Sequence, residues 1–262
     1  MRRYLRLYAS FLKFSFGRAV QFRLDFFFRI FMDMLWYAQY LAFFGLLLSQ
    51  SPTVGGWDRD DLRLFAGTLF VMDAMQMTLF SNNLWALIPA INRGDLDYHL
   101  VRPVSTLFFV SLRDFAVNSF INWLMAVGIL VWALVVHPRP LPPLHLALYV
   151  VLLLVSLAIH YCVQMFSLLP IFWTHSGRGL RDVFWSLDAY TARPIGVFTG
   201  WVRRILLTVL PLGIVVSFPV RILVEGPSLS IVLHMLLVLG GAFSVLLFFW
   251  HRGLKAYASA SS

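Results

Sequence analysis

The chain has 262 residues, of which 60% are hydrophobic and 13% charged, and its formal net charge is +9. Soluble domains carry about twice that share of charged residues, so the composition excludes an ordinary soluble domain. It indicates that lipid surrounds most of the chain. No basic soluble region interleaved with aromatic residues is present, and we expect no nucleic-acid partner. The positive charge instead suits loops that lie beside anionic lipid headgroups.

Residues 1–20 form a basic, amphipathic segment. Tyr4, Tyr8 and Phe11 recur at helical spacing, and basic side chains such as Arg6 lie between them. This pattern predicts an interfacial helix on the cytoplasmic leaflet. The alternative is that the segment is only the fringe of the first span.

Six apolar segments follow, each long enough for a membrane-spanning helix of about 20 residues. We predict an all-α polytopic membrane protein, a single domain over 1–262 with a six-helix bundle over 25–250. The predicted spans are 25–49, 62–90, 105–136, 144–173, 196–218 and 229–250.

The basic residues are distributed unevenly between the two sets of loops. If the N-terminus is inside, the inside segments carry most of them, which predicts that both termini are cytoplasmic. The residues assigned inside are Arg2, Arg3, Arg6, Lys13, Arg18, Arg23, Arg93, Arg102, Arg178, Arg181, Arg193, Arg203, Arg204, Arg252 and Lys255. Those assigned outside are Arg59, Arg63, Arg139 and Arg221, together with Asp58, Asp60, Asp61 and Glu225.

A charged peptide, INRGDLDYHLVRPVS at 91–105, separates the second and third apolar segments. Gly94 is predicted to end the second span in a left-handed conformation. Asp95 is then predicted to cap a short helix that has Asp97 in its first turn. The sequence therefore predicts a short cytoplasmic helix within 93–103.

The far end of this helix is set by a proline. Pro103 disfavours helical geometry at Arg102, so the helix ends there and Pro103 can start the next span. Two interpretations are open: a docking element for a cytoplasmic partner, or an interfacial helix among the lipid headgroups. Its apolar surface is predicted to consist of Leu96, Tyr98, Leu100 and Val101.

Two stretches resemble the ABC-2 type permeases, the membrane subunits of type-2 ATP-binding-cassette exporters. RGDLDYHLVRPVS resembles a cytoplasmic loop of that family. TARPIGVFTGWVRRILLTVLPLGIVVSFPVRIL is similar to its Pro-led fifth span and the breaks that follow near the outer surface. The resemblance follows the segment order of the whole chain and is nearest to permeases encoded as pairs beside one ATPase.

The resemblance implies three functional elements. They are a coupling helix seated in a cleft of an ATPase, an N-terminal connecting helix beside the membrane, and outer half-helices bracketed by Pro211 and Pro219. At this outer gate, Arg221 and Glu225 would either pair or stay solvated loop charges. The coupling positions are Arg93, Gly94, Asp95, Leu96, Asp97, Tyr98, Leu100, Arg102 and Pro103.

The chain carries no signature of an ATP-binding site of its own. A P-loop needs a lysine within GxxxxGK[ST], and neither Lys13 in FLKFS nor Lys255 in GLKAY fits. We therefore expect this chain to bind no cofactor. The resemblance implies ATP and Mg²⁺ on a separate ATPase in two copies, a second permease chain that is identical or related, and the inner membrane of a bacterium with its lipids.

Polar side chains within the predicted spans are candidates for a substrate path, because an intramembrane carboxylate is costly and often functional. The alternative is hydrogen bonding between helices that fixes their packing. No HExxH or CxxC spacing indicates a metal site. The candidates are Asp33, Asp73, Gln76, Asn118 and Asn122.

A function from a different class is an integral-membrane enzyme that acts on lipid. Asp73 and the pair Asp95 and Asp97 would then be acid–base groups or Mg²⁺ ligands. The predicted short helix already explains Asp95 and Asp97, which argues against this reading. The interpretation that we favour is a permease without an ATPase site of its own, exporting an amphipathic or lipid-like substrate.

Overall fold

The computed structural model describes residues 2–19, 23–177 and 179–257. Most residues in those ranges are helical, and apart from one isolated bridge between Val54 and Trp57 none forms a β-strand, which confirms the predicted all-α class. A π-helical turn, Met77–Ser81, joins α3 to α4. The helices are α1 (Arg2–Ala19), α2 (Arg23–Gln50), α3 (Arg59–Gln76), α4 (Asn82–Asn92), α5 (Asp97–Leu100), α6 (Thr106–Leu112), α7 (Val117–Val136), α8 (Pro143–Leu168), α9 (Ile171–Thr174), α10 (Leu180–Thr191), α11 (Gly200–Thr208), α12 (Leu212–Glu225) and α13 (Leu229–Ala256).

Five stretches of the described chain are long and apolar enough to cross a membrane, and one bent helix pair makes a sixth candidate. This agrees with the predicted polytopic architecture. The bent pair is α11 and α12, which meet at 82°. The five stretches are Ile30–Gln50, Arg59–Asn92, Ser119–Val136, Pro143–Thr174 and Leu229–Ala256.

The centre of the bundle is formed by α3, α7, α8 and α12. Their facing sides pack together, with α3 along α7 and α8 along α12. Buried side chains such as Phe65, Leu152 and Ile222 belong to one hydrophobic cluster there. By contrast, α2 and α13 are peripheral, and their rings Phe31 and Phe248 stay exposed. Such faces suit lipid, whose acyl tails are as apolar as leucine.

One end of the bundle holds both ends of the described chain, and we call it the terminal end. There the backbone N–H of Ser105 donates to the Tyr4 hydroxyl (3.2 Å). Leu96 and Trp250 lie in one hydrophobic cluster, against which Tyr257 packs. The N-terminal helix, the 93–103 segment and the C-terminal residues therefore lie together.

The opposite end carries the acidic loops. Asp58 caps α3 by accepting hydrogen bonds from the backbone N–H groups of Asp60 and Asp61, and it also pairs with Arg139 (2.7 Å). Asp61 lies 3.2 Å from His137. These residues are among those assigned outside from the sequence. The placement of the terminal end in the cytoplasm stays a prediction.

The third predicted span is interrupted between α6 and α7. At the break, the Asp114 N–H donates to Asn83 Oδ1 (2.8 Å), and Asn83 Nδ2 donates to the Asp114 carbonyl (2.7 Å). The Ala116 N–H donates to the Thr78 carbonyl (2.9 Å). Because lipid cannot satisfy backbone groups, these bonds from the π-helical turn and α4 allow the chain to break inside the bundle.

An additional helix, α10, occupies the stretch that the sequence analysis assigns to an inside loop. It packs against α8 and α12. Arg193 follows it and lines a cleft together with Gly55, which belongs to the loop before α3 at the opposite end. The assignment of Arg193 to an inside loop is therefore wrong. Arg178 lies outside the described residues.

The region of the fifth predicted span contains the bent pair rather than one continuous helix over 196–218. Pro211 lies at the break. Proline suits this position because it has no backbone N–H to donate to a helical hydrogen bond. Pro219 lies inside α12 and not at a helix end, so the two prolines do not bracket half-helices as predicted. A proline is tolerated at that position because neighbouring helices surround α12.

Replacing Gly67 with alanine should destabilise the bundle, because a Cβ at this position would lie 2.9 Å from Leu130 Cα in α7. Such overpacking costs about 1–3 kcal/mol and should lower the midpoint of thermal unfolding in detergent. Gly128→Ala is the matched control, since nothing lies within 4 Å of a Cβ there. Equal stability of the two variants would contradict the close approach of α3 and α7.

Candidate functional site

The 93–103 segment at the terminal end is a rigid turn followed by one helical turn. Gly94 has φ +79°, so it ends the preceding helix in the left-handed conformation that was predicted. The Leu96 N–H donates back to the Ala90 carbonyl (3.3 Å), and the Leu100 N–H donates to the Leu96 carbonyl (3.1 Å). The segment is therefore hydrogen-bonded to the end of α4 rather than loosely connected to it.

Two local predictions for this segment are wrong. Asp95 does not cap the helix, because α5 begins at Asp97 and its N-cap is Leu96, without a side-chain bond. Pro103 does not begin the next helix either. Ser105 caps α6 by accepting a hydrogen bond from the Phe108 N–H (3.4 Å). The hydroxyl cap of Ser105 thus begins α6, in place of the start at Pro103 that was predicted.

The segment presents a smaller apolar surface than predicted. Leu96 is fully buried in the cluster between α4, α6 and α9. Tyr98 and Val101 are 71% and 83% exposed, and Leu100 is 40% exposed. We call Tyr98, Leu100 and Val101 the apolar patch. Leu96 holds this patch in place, and the exposed charged residues Arg93, Asp95 and Arg102 surround it.

His99 faces inward, on the side of α5 away from the solvent. Its ring packs on Phe109 with centroids 4.7 Å apart, and Nε2 lies 3.5 Å from Arg113 Nη1. The Arg102 guanidinium lies over the same Phe109 ring. Burial, and then the charges of Arg113 and Arg102, lower the pKa of His99, although Asp95 acts in the opposite direction. The arrangement therefore favours a neutral imidazole.

The N-terminal helix α1 supports the segment from its other side. Tyr4 contacts Phe108 edge-on at 4.8 Å, and Phe11 contacts Phe109 at 5.3 Å. Phe109 thus lies between α1 and α5. A helix predicted to lie on the membrane surface is in this way joined to the 93–103 segment through α6.

A cleft of about 1080 Å³ lies between α2, α3, α10 and α12. Asp33, Asp73 and Trp185 are part of its lining. At one margin the loop after α2 meets the segment after α10, where Gly55 touches Gly196. A Cβ at Gly196 would overlap the Gly55 carbonyl oxygen, so the contact requires glycine.

A buried polar network borders this cleft and attaches α10 to the bundle. His160 Nε2 in α8 lies 2.7 Å from Asp188 Oδ1 in α10. Gln164, one helical turn along α8, donates to the same carboxylate (3.4 Å) and accepts from Gln76 of α3. Polar groups in such a low-dielectric setting are costly unless they are bonded, so this network fixes where α10 lies.

Of the five predicted substrate-path residues, the four whose side chains the structure describes fall into two groups. Asp33 and Asp73 line the cleft. Gln76 and Asn122 are buried in helix contacts, where Asn122 donates to Asp33, so their amides hold helices together. Asn118 lies in α7, but its side chain is outside the described ones.

Several residues of the cleft and of the polar network beside it were missed from the sequence. His160 and Gln164 are four residues apart in an apolar helix, and this spacing could have indicated a polar face. Asp188 and Trp185 belong to α10, which was not predicted at all. Arg193 was assigned to a loop from its charge alone.

Of the two alternatives left open for Arg221 and Glu225, the structure shows the i,i+4 ion pair, near the end of α12. Arg221 Nη2 donates to Glu225 Oε2 (2.8 Å), and Nε donates to Oε1 (3.0 Å). Their side chains are 35% and 53% exposed, and an exposed pair contributes little to stability. A gating role for this pair, and for Pro211 and Pro219, stays a prediction.

The carboxylates of the alternative enzyme do not converge on one site, because Asp73 lies apart from Asp95 and Asp97. Asp73 lines the cleft, whereas Asp95 lies beyond the end of α4, in the lining of a different cavity. Asp97 lies close to Tyr257, whose pKa is raised by burial and then by the Asp97 charge. Among the described residues, no group of three or more His, Cys, Asp or Glu side chains could hold a metal ion.

These features define a polytopic α-helical membrane protein. Its 93–103 segment is held against the bundle at the terminal end, and a cleft lies between its helices. A sequence model of the family described as "ABC-2 family transporter protein" matches residues 34–261. The chain therefore belongs to this family, and it is a membrane permease subunit rather than an enzyme. No match was found among curated proteins or among solved structures.

The lowered pKa of His99 predicts a pH dependence of stability. The unfolded chain binds a proton near pH 6.5 but folded His99 resists it, so stability should fall as pH drops below about 6.5. When the pH is lowered from about 7.5 to 5.5, the midpoint of thermal unfolding should fall in the wild type. It should fall less in His99→Gln. The exposed His251, changed to Gln, is the control. If the midpoint fell by the same amount in the wild type and in His99→Gln, the inward placement of His99 would be contradicted.

Proposed function

We propose that this permease couples ATP hydrolysis on a separate subunit to the export of an amphipathic substrate, and that the 93–103 segment is the coupling element. The observation that carries the proposal is the apolar patch. Three apolar side chains stay exposed on a segment whose inner residues are buried. A surface of this kind, ringed by charges, suits a protein partner better than it suits water.

The rigidity of the segment supports this role. A force from a partner at Tyr98 or Val101 acts on backbone that is hydrogen-bonded to the end of α4 and held by Leu96 in the hydrophobic cluster. It therefore reaches α4 and, through the π-helical turn, α3. A loosely connected loop would absorb the same displacement.

ATP and Mg²⁺ belong to the partner in this proposal. Neither lysine of the chain lies in a P-loop sequence. Two ATPase copies that close around ATP would supply the differential affinity that a change between two conformations requires. This chain would transmit that change and provide one side of the substrate path, with the cleft as its binding site.

A second permease chain, identical or related, completes the proposed assembly. The peripheral helices α2 and α13 present exposed apolar faces to lipid or to such a chain. The proposed location is the inner membrane of a bacterium, with the terminal end in the cytoplasm. The basic residues near that end, including Arg93, Arg102 and Arg252, support this orientation.

Placing a charge in the apolar patch should uncouple the ATPase. Val101→Asp should abolish co-purification of an ATPase subunit in mild detergent, and with it the stimulation of ATP hydrolysis. Truncating interface anchors costs about 2 kcal/mol or more, and a buried carboxylate at the same position should cost at least as much. The measurements are pull-down with the tagged chain and ATPase activity in reconstituted vesicles.

Leu229→Asp is the matched control for this experiment. Leu229 is 74% exposed at the start of α13, where a carboxylate is favoured by the helix dipole. This variant should retain both co-purification and stimulation. A Val101→Asp variant that kept full stimulated ATPase activity and transport would refute the coupling role.

The proposed orientation predicts which residues a membrane-impermeant maleimide can reach. Cys162 is buried, so it should give little background, and Cys162→Ala removes even that. In this background, Ser51→Cys, at an exposed position just after α2, should react in intact cells. Val101→Cys should react only after the membrane is opened. Labelling of the Val101→Cys variant from outside would invalidate the orientation and the coupling proposal together.

A further inference from the structure

Two cavities lie side by side at the terminal end, where the N-terminal helix meets the 93–103 segment. The larger has a volume of about 820 Å³ and lies between α1, α4, α5 and α6. The smaller has a volume of about 420 Å³ and lies between α1 and the chain around the start of α6. Arg102 and Phe109 belong to the lining of both. We call the two together the α1 cavities.

Arginine side chains from separate parts of the sequence meet in these cavities. Arg93, Arg102 and Arg113 line the larger cavity, and Arg6 joins Arg102 in the smaller one. They come from α1, from the residue after α4, from the residues after α5 and from the residue after α6. All four are exposed, so a ligand can reach them from the surface of the bundle.

Two of the guanidinium groups are gathered at one aromatic ring. The guanidinium carbons of Arg102 and Arg113 lie 4.7 Å and 5.9 Å from the centre of the Phe109 ring. Like charges brought together repel each other, and an anion bound beside both reduces that repulsion. Arg102 Nε donates to the Tyr98 carbonyl (3.2 Å), which fixes the guanidinium in place. A guanidinium held in this way suits a phosphate, to which it can donate two parallel hydrogen bonds.

The larger cavity also carries two carboxylates, those of Asp95 and Asp114. The charges of the arginines outweigh that of Asp95 at the inner wall, where His99 lies. After burial, the charges of Arg113 and Arg102 are the main causes that lower the pKa of His99, and the opposing effect of Asp95 is smaller. The potential at this wall is therefore positive, and it favours an anion.

The N-terminal helix supplies an apolar wall beside the charged one. Phe14 of α1 is exposed, and it lines the larger cavity together with Phe11, Leu87 and Val110. An amphipathic helix of this kind lies at the boundary between headgroups and acyl chains. A free phosphate would use only the guanidinium groups, whereas a phospholipid would use the apolar wall as well.

We propose that the α1 cavities bind the headgroup phosphate of an anionic phospholipid, with its acyl chains along the exposed face of α1. The inference goes beyond the export function. Basic pockets between membrane helices bind such headgroups, and the volume of the larger cavity is within the ~300–1,000 Å³ of small-molecule sites. Because α1 and the 93–103 segment both line the site, a bound lipid would hold them together.

The test compares two short-chain lipids, dihexanoylphosphatidylglycerol and dihexanoylphosphatidylcholine. Both contain a phosphate and the same acyl chains, but only the first carries a net negative charge. Equilibrium dialysis of each labelled lipid against the purified full-length chain in detergent, with empty micelles as the blank, gives the two dissociation constants. The anionic lipid should bind at least ~10-fold more tightly, because its charge complements the site. Equal binding of the two would overturn the proposal.

Inorganic phosphate distinguishes a lipid from a free anion as the ligand. At the concentration at which unlabelled phosphatidylglycerol displaces the label, inorganic phosphate should displace almost none of it, because it has no acyl chain to contact Phe14. Complete displacement by inorganic phosphate at that concentration would overturn the assignment to a lipid.

Variants locate the site. Arg102→Gln and Arg113→Gln should each weaken binding of the anionic lipid by about tenfold, since each removes charge-assisted hydrogen bonds. Arg102→Lys keeps the charge without the paired donors and should lose less. The matched control is Arg252→Gln, which removes an exposed guanidinium at the same end that lies 5.2 Å from the Phe248 ring and lines neither cavity.

The control decides between a defined site and general attraction to a basic surface. An equal loss of affinity in Arg252→Gln and Arg102→Gln would overturn the proposal, and so would unchanged affinity in both cavity variants. If a cavity variant does not fold, the comparison of the two lipids on the unchanged chain still decides.

The outcome is separable from that of the proposed function, because lipid binding by the isolated chain needs no ATPase. Selective binding of the anionic lipid by a chain that recruits no ATPase would refute coupling and leave the lipid site. Normal coupling in a chain that binds both lipids equally would refute the lipid site alone.

Discussion

The constraint on which this structure depends is that lipid cannot form hydrogen bonds with a broken helix. The break between α6 and α7 is therefore placed where protein supplies the missing partners. Between α6 and α7, Asn83 binds both backbone groups of Asp114, and the carbonyl of Thr78 accepts from the N–H of Ala116. Those partners come from the π-helical turn and the start of α4. The irregular parts of the chain thus depend on one another.

The helices α3 and α4, joined by the π-helical turn, connect the two regions to which we assign a function by proposal. Asp73 on α3 lines the cleft, and Arg93 directly follows α4 at the base of the 93–103 segment. The π-helical turn lies between them and is the part of this connection with irregular hydrogen bonding, a feature often found at functional positions. A displacement at the apolar patch therefore has a direct path to the cleft, through backbone rather than through loosely packed side chains.

Much of this fold could be predicted from hydropathy, because a span needs only about 20 apolar residues in a row. Gly94 could be predicted because its left-handed conformation depends on local backbone geometry. The cleft could not be predicted. It depends on α10, whose mixed composition resembles a loop, and on which residues of distant helices meet. Asp95 was expected to cap a helix, but burial of Leu96 sets the start of α5 instead. The free energy gained by burying the Leu96 side chain outweighs that of a side-chain cap, which is about 1 kcal/mol.

The contact between Gly55 and Gly196 has a consequence for how this protein can vary. At that margin two backbones touch with no side chain between them, so even one methyl group would force them apart. Alanine at position 196 would thus act as a wedge, and the cleft margin would widen without any change in its charge or its rings. The opening of the cleft can in this way be altered by a single carbon atom, without any change in the side chains that line it.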